Sequence, residues 1–328
     1  MHGVKRRQWS RELLKQKRIE DEKKIKQYRS LVDTVLNLKE TQIYTKDSLK
    51  LSKEVLQWNP EFNTVWNFRR DIIENVKGQL DVTFWEDELN FTMAELKKFP
   101  KVYWIWNHRV WVLKNHIDSS LKIWQRELII VNKLLDMDAR NFHGWHYRRR
   151  IIKVIEDRTG KSNDHEELEL TTQKINKNIS NFSAWHQRVQ LITRMNDTDE
   201  FENRKEFITN EIDYITNAMF TDAEDQSVWF YMEWFLEYEM VSKVLNHNEY
   251  TTILNKFQSN ILIINEDDKE FSGKENPWCL KMLIIIEKLQ TNLGIEIKDG
   301  KSKEWIAKLI EADPLRKNRY LYLLHEEK

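Results

Sequence analysis

The chain has 328 residues, of which 40% are hydrophobic and 14 are tryptophans, so wholesale disorder is excluded. Lysine plus arginine balances aspartate plus glutamate, 53 against 53, which gives no basic signature for nucleic acid. The single Cys279 excludes an internal disulfide and a cysteine-rich metal site. The sequence shows no signal peptide and no apolar run long enough to span a membrane, so we expect a cytoplasmic protein.

The N-terminal segment is highly charged. Residues 4–29 contain eleven basic and four acidic residues, and apolar residues cluster only from Leu31 onward. We predict a charged, largely helical arm over residues 1–44. It is either a solvated helix or an arm that lies against an acidic partner chain.

From residue 45 onward the sequence repeats a Trp-x-x-Arg motif. Five tryptophans recur at intervals of 40, 39, 40 and 44 residues, and in the last copy, at Trp229, Met232 replaces the arginine. A period of this size is typical of stacked two-helix repeats. We therefore predict an all-α fold over residues 45–328, a right-handed α-α superhelix (solenoid) of helical hairpins of about 40 residues with degenerate capping helices at its end. The complete pairs are Trp66/Arg69, Trp106/Arg109, Trp145/Arg148 and Trp185/Arg188.

Each repeat carries signals for a joint between two helices. Pro60 and Pro100 stand six residues before their tryptophans, and Asn141, Asn181 and Asp225 stand four before theirs, where they favour N-caps. The tryptophan, the arginine three residues later and aliphatics six and seven later share one helical stripe. A buried arginine in this stripe must find a carboxylate or helix C-terminal carbonyls, because an unpaired buried charge is costly.

Further along, we predict loops at residues 157–164, 196–200, 267–276 and 295–302. A helix is expected over residues 278–289, and a short terminal helix is expected to begin at Asp313-Pro314.

The residues just before the tryptophans are candidates for ligand binding. Equivalent positions of a solenoid align along one rim, and two adjacent repeats place a cation beside an aromatic residue there: Lys101 with Tyr103, and Arg140 with Phe142. Helix N-termini also favour anions. The rim is either a solvated loop or a site for an anionic, partly apolar ligand.

Two other sets of residues could carry chemistry but are better explained by structural roles. His143 and His146 are three apart and could face one metal ion, but the position of His146 is Asn107 in the preceding repeat, which favours hydrogen bonding between hairpins. Cys279, in an apolar stretch, is better explained as a core residue than as a nucleophile.

The repeats resemble those of protein prenyltransferase α subunits, on the evidence of residues 100–109 (Pro-Lys-Val-Tyr-Trp-Ile-Trp-Asn-His-Arg) and 141–148 (Asn-Phe-His-Gly-Trp-His-Tyr-Arg). The resemblance runs from about Ser48 to Trp229. The opening residues 1–5 are similar to those of the Rab geranylgeranyltransferase (type II) class.

The resemblance implies an α subunit that wraps around a separate β subunit, which holds the catalytic zinc and most of the lipid pocket. It implies transfer of geranylgeranyl from geranylgeranyl diphosphate to C-terminal cysteines of Rab GTPases presented by a Rab escort protein. By motif, Lys101 matches the lysine that reaches the diphosphate, and Tyr103 and His143 match positions at the active-site mouth. Phe142 stands where the farnesyl enzyme has tyrosine, which puts a hydroxyl role there in doubt. His2 matches a histidine that reaches the partner's zinc in the resting state.

Two alternatives remain open at this point. One is an α subunit shared by farnesyltransferase and type I geranylgeranyltransferase, acting on CaaX termini without an escort. The other is a non-enzymatic helical-repeat scaffold of the TPR or RNA-processing kind.

Overall fold

The structure is a computed structural model that describes residues 10–118, 120–295 and 300–326. Within these ranges all regular structure is helical, with sixteen α helices and two 3-10 turns. The chain divides into two compact units, Met1–Lys161 and Ser162–Lys328. The predicted all-α hairpin fold is confirmed, whereas the predicted boundary at residue 44 stays a prediction.

The first unit is a long N-terminal helix followed by three hairpins. Each hairpin packs its first helix against its second. Residues 11–27 of the N-terminal helix are exposed, and only Val35 is buried in it, so both interpretations of the charged arm remain open. The helices are α1 Arg11–Glu40, α2 Lys46–Trp58, α3 Asn63–Val76, α4 Val82–Lys98, α5 Tyr103–Asn115, α6 Leu121–Met137 and α7 Phe142–Thr159, with a 3-10 turn at Lys77–Gln79.

The second unit continues the hairpin pattern and then departs from it. Helices α8 and α9 form a hairpin like those of the first unit, and α13 and α14 pair in the same way further on. The helices are α8 Asp164–Lys177, α9 Phe182–Asp197, α10 Arg204–Thr221, α11 Gln226–Glu237, α12 Glu239–Val244, α13 His247–Ser272, α14 Pro277–Asn292, α15 Ser302–Ala312 and α16 Lys317–Glu326, with a 3-10 turn at Pro314–Arg316. No helix in the described ranges is both long and apolar enough to cross a membrane.

The predicted N-caps are confirmed. Asn141 accepts hydrogen bonds from the amides of His143 and Gly144, Asn181 from that of Ala184, and Asp225 from that of Ser227. These side chains satisfy amides that have no partner inside the helix, which fixes where each second helix begins.

Some predicted loops are too long. Helix α7 continues to Thr159 and α13 to Ser272, so the loops predicted to begin at 157 and 267 begin later. Charged residues such as Glu and Lys prolong these helices, and each stops at a glycine with positive φ, Gly160 at 65° and Gly273 at 73°. Helix α9 likewise runs to Asp197, past the predicted loop start at 196.

The repeat tryptophans form the core, as predicted. All five are at most 5% exposed. Each indole Nε1 also donates to the carbonyl six residues earlier, in the joint between the two helices, at 2.8–3.0 Å. The tryptophan thus fills the core and also holds the joint by a hydrogen bond. Phenylalanine could fill the core but has no N–H to make that bond. The donors are Trp66, Trp106, Trp145, Trp185 and Trp229.

Three of the four repeat arginines are buried and bound to carboxylates of the following hairpin, which confirms the predicted pairing for Arg69, Arg109 and Arg188. Arg109 donates from Nε and Nη2 to Glu127 at 2.9 and 2.6 Å, and from Nη1 to the Leu89 carbonyl of its own hairpin at 2.5 Å. Arg69 and Arg188 make equivalent bidentate pairs with Glu88 and Glu211.

Arg148 is also buried and donates to the side chain of Asn132. A second donor reaches each of the three carboxylates that bind Arg69, Arg109 and Arg188, and at Glu211 it is the Tyr231 hydroxyl at 2.5 Å. His108 bonds Glu88 at 2.7 Å, and the Tyr147 hydroxyl donates to Glu127 at 2.5 Å. The bonds from Arg69, Arg109 and Arg188 join one hairpin to the next, whereas the His and Tyr bonds hold each carboxylate within its own hairpin.

The Glu88 pair makes stability depend on pH. Burial would raise the pKa of Glu88, but the Arg69 guanidinium and the hydrogen bond from His108 outweigh it and hold the pKa well below its ordinary value. Since the folded pKa is below the unfolded one, the carboxylate stabilises the fold above an unfolded pKa of about 4.3, and this contribution is lost as the pH falls below it. Burial lowers the pKa of His108, so the neutral ring donates from Nε2.

We expect the melting temperature of the parent chain to fall between about pH 5 and about pH 3. The Glu88→Gln variant should start lower at neutral pH and lose less over this range. Thermal melts followed by circular dichroism test this. Parallel losses in parent and variant would show that Glu88 does not carry the dependence.

Candidate functional site

The rim residues of two adjacent hairpins come together in the first unit. Tyr103 begins α5 and Phe142 begins α7, and both rings are 56% exposed. Their centroids are 5.8 Å apart. The ring of His143 lies against both, 4.2 Å from Tyr103 in an edge contact and 3.9 Å from Phe142. The exposed side chains of Tyr103 and Phe142 form an aromatic surface next to Lys101 and Arg140, with the buried His143 ring packed behind it.

The loop that carries Lys101 is fixed by hydrogen bonds to the Pro100 carbonyl. This oxygen accepts from Trp106 Nε1 at 3.0 Å and from Asn141 Nδ2 at 3.1 Å. The Oδ1 atom of Asn141 meanwhile caps α7. Asn141 therefore holds the Lys101 loop and the first turn of α7 in one arrangement. Sequence analysis identified Asn141 only as a cap, because nothing in its local spacing indicates a bond to the preceding repeat.

The Lys101 side chain is 75% exposed, and its Nζ lies 3.9 Å from Asp138 Oδ2. An exposed pair at this distance contributes little to stability, so the ammonium is available to another anion. Asp138 was not among the predicted site residues. Arg140 follows it in the same joint and is also exposed.

The surroundings of His143 favour its neutral form. Burial lowers its pKa, and the charges of His146 and Lys101 add to this, while a hydrogen bond with the Lys101 backbone opposes it. A neutral ring between Tyr103 and Phe142 adds no charge to the aromatic surface, so the positive charge of the site comes from Lys101 and Arg140.

The two histidines of the candidate metal pair differ in exposure. His143 is buried whereas His146 is exposed. Within the described ranges, no three or more His, Cys, Asp or Glu side chains are grouped so as to hold a metal ion. A zinc ion would thus need ligands from elsewhere. His2, the predicted ligand in trans, lies outside the described residues.

Cys279 is fully buried in α14. Burial, with smaller effects from Asp268 and Glu275, raises the pKa of its thiol well above the ordinary value. Such a thiol is protonated at neutral pH and inert as a nucleophile, in agreement with the predicted core role.

Comparison with known proteins gives three findings. The family described as "Protein prenyltransferase alpha subunit repeat" matches residues 45–76, 85–116, 124–155, 164–195 and 208–239. "Geranylgeranyl transferase type-2 subunit alpha" of Saccharomyces cerevisiae is 56% identical over 328 residues, which is 100% of both chains. The protein of the same name from Candida albicans is 36% identical over 98% of this chain and 96% of its own.

A solved structure has the same fold. It is the Candida albicans protein geranylgeranyltransferase-I complexed with GGPP, with a TM-score of 0.68 at 20% identity over 92% of this chain and 91% of that chain. The family match also decides against the non-enzymatic scaffold of the TPR or RNA-processing kind. The full-length relatives favour the type-2 class over the α subunit shared with farnesyltransferase. The chain therefore belongs to the family of protein prenyltransferase α subunits, and within it to the type-2 geranylgeranyl transferases.

Proposed function

We propose that this chain pairs with a β subunit to form a Rab geranylgeranyltransferase in the cytoplasm. The enzyme transfers geranylgeranyl from geranylgeranyl diphosphate to C-terminal cysteines of Rab GTPases, which a Rab escort protein presents. The single observation that carries the proposal is the exposed Lys101 ammonium on a loop fixed by Trp106 and Asn141, beside an exposed aromatic surface.

The chemistry of these groups suits a lipid diphosphate. As the bond to the diphosphate breaks, negative charge grows on the leaving group, and a positioned cation stabilises that charge. Lys101 provides this cation and Arg140 adds to the positive field. Tyr103 and Phe142 offer an apolar wall to the first part of the isoprenoid chain. His143 holds the wall in place and brings no charge of its own.

A zinc ion bound by the β subunit would lower the pKa of the acceptor thiol and so supply the nucleophile. This chain's contribution to that metal would be His2, since neutral imidazole is a good zinc ligand. We expect the His2→Ala variant to keep its zinc content, with activity near normal or higher at low Rab concentration. The X-ray absorption spectrum of the resting variant heterodimer should show one nitrogen ligand fewer at the zinc than that of the parent. An unchanged zinc coordination shell in the variant would show that His2 is not a ligand.

The test of the proposed function is the Lys101→Ala variant in the heterodimer. Loss of one preorganised charge contact should lower single-turnover transfer to Rab on the order of 10²-fold, with subunit association unchanged. Lys97→Ala is the matched control, because Lys97 is an exposed lysine of α4 outside the site. An unchanged rate of single-turnover transfer in Lys101→Ala would show that Lys101 belongs to a solvated loop and takes no part in transfer.

Substrate choice is tested separately with the parent heterodimer. Rab with its escort protein should be prenylated, whereas a CaaX peptide without an escort should not. The opposite preference would assign the chain to the shared farnesyl and type I class.

A further inference from the structure

The position of Lys101 depends on a residue of the following hairpin. The carbonyl of Pro100, one residue before Lys101, accepts from Trp106 Nε1 at 3.0 Å and from Asn141 Nδ2 at 3.1 Å. Trp106 belongs to the same hairpin as Lys101, whereas Asn141 is the buried N-cap of α7 in the next one. The bond from Asn141 therefore fixes the Lys101 loop relative to α7.

The other end of the Asn141 amide fixes the first turn of α7. Its Oδ1 accepts from the amides of His143 and Gly144 at 3.0 and 3.3 Å. Phe142, the first residue of α7, lies between these bonds and the Lys101 loop in the chain. One planar amide thus joins the cation of the proposed site on one hairpin to the aromatic wall on the next, and each of its two polar atoms is held by a hydrogen bond.

Capping alone does not require the bond to Pro100. Asn181 stands at the same place in the next repeat, four residues before Trp185, and caps α9 by accepting from the Ala184 amide at 3.3 Å. Its side chain is buried, yet its Nδ2 has no hydrogen-bond partner in the part of the chain that the structure describes. The donor bond of Asn141 is therefore an addition to the capping role.

Asn276 in the second unit makes the same two kinds of bond without a lysine nearby in the joint. Its Oδ1 caps α14, and its Nδ2 donates to the Ala223 carbonyl at 3.1 Å and to Asp268 at 2.7 Å. Trp229 Nε1 donates to the same carbonyl at 2.9 Å. The residue after Ala223 is Glu224, at the place that Lys101 takes after Pro100. Asn276 therefore separates the structural effect of such a bond from an effect on transfer.

We infer that Asn141 is a positioning residue for the transfer reaction: its bond to the Pro100 carbonyl holds the Lys101 ammonium beside the aromatic surface, in place for the leaving diphosphate. The inference rests on the proposed function. Asn141 acts through Lys101 and needs no contact with the substrate. Displacement of a transition-state contact by about 1 Å can lower a rate by about 10²-fold. Because Trp106 still holds the carbonyl when Asn141 is replaced, we expect a smaller loss, about tenfold.

The experiment measures single-turnover transfer to Rab by the heterodimer at saturating geranylgeranyl diphosphate. Asn141→Ser keeps a capping oxygen for α7 but has no donor for Pro100, and it should lower the rate about tenfold. In a Lys101→Ala background the same substitution should change the rate by less than about twofold, because the ammonium that it positions is gone. A purely structural role of Asn141 would lower the rate equally in both backgrounds.

Asn276→Ser is the matched control. It should lower the melting temperature at least as much as Asn141→Ser, since it loses the equivalent bond, and it should transfer at the parent rate. If Asn141→Ser does not fold, Asn141→Thr takes its place, because threonine also caps a helix without supplying the donor.

The outcomes separate this inference from the proposed function. Equal slowing by Asn141→Ser in the parent and in Lys101→Ala would show that Asn141 acts independently of Lys101, and the inference would be overturned. A parent rate in Asn141→Ser, or equal slowing in Asn276→Ser, would overturn it as well. In these cases the proposed function stands as long as Lys101→Ala is slow. If Lys101→Ala itself transfers at the parent rate, both fail.

Discussion

An Arg109→Ala variant is expected to lose about 3–5 kcal/mol of the free energy of unfolding, because it leaves a buried carboxylate without its counter-charge. Arg109 and Glu127 are each 2% exposed. After the substitution, Glu127 would keep only the Tyr147 hydroxyl as a donor among the bonds described above. Burial raises the pKa of Tyr147 well above its ordinary value, so the phenol stays neutral. It therefore cannot replace the positive charge of the Arg109 guanidinium.

Urea unfolding followed by circular dichroism measures this loss. Arg126→Ala is a matched control, since Arg126 is 64% exposed and pairs with Glu86 at 3.5 Å on the surface. Replacing Arg109, Glu127 and Tyr147 together by Met, Leu and Phe should recover much of the stability, because a packed apolar cluster removes all three desolvation costs. Equal losses of unfolding free energy in Arg109→Ala and Arg126→Ala would show that the buried pair stabilises the fold no more than the exposed one.

Trp145→Ala should cost about 3–5 kcal/mol, the range for removal of a large buried aromatic side chain. Trp145 is 2% exposed, and its Nε1 donates to the Ala139 carbonyl at 2.9 Å. The substitution opens a cavity and also removes the hydrogen bond to the Ala139 carbonyl. The expected result is a lowered melting temperature or poor solubility, with catalysis unaffected in the protein that remains folded.

Two variants make the Trp145 experiment specific. Trp145→Phe keeps much of the volume but loses the bond to the Ala139 carbonyl, so its loss of stability should be smaller, about 1 kcal/mol for one hydrogen bond. Trp58→Ala is the control, because Trp58 is 51% exposed at the end of α2. A Trp145→Ala variant that melts like the parent but has no activity would contradict the core assignment.

The buried carboxylates shared between hairpins determine whether the stability losses of two substitutions add. Each carboxylate accepts from an arginine of the preceding hairpin and, at Glu88, Glu127 and Glu211, from a His or Tyr of its own hairpin. Hairpins that share a buried network are energetically coupled, so two substitutions at one carboxylate will not be additive. Substitutions two hairpins apart share no partner and should add.

The sequence by itself determined the helical hairpins, their caps and the packed stripe. These features depend on local spacing: a tryptophan about every 40 residues, an arginine three after it in the first four copies, and a capping Asn or Asp four before it in the last three. Local spacing also placed Lys101, Tyr103, Arg140 and Phe142 at corresponding positions of adjacent repeats. The polar pattern at residues 157 and 267 predicts loops that begin too early, because the charged residues there continue the helix until a glycine ends it.

Only the tertiary structure decided which groups pair across hairpins. The carboxylates that bind Arg69, Arg109 and Arg188 follow them by 19, 18 and 23 residues, so no fixed offset reveals them. The bond from Asn141 to the Pro100 carbonyl, 41 residues away, and the approach of Lys101 to Asp138 are of the same kind. Such contacts depend on the register in which one hairpin stacks on the next. That register is set by the packing of whole helices and the lengths of the joints between them, which no single motif encodes.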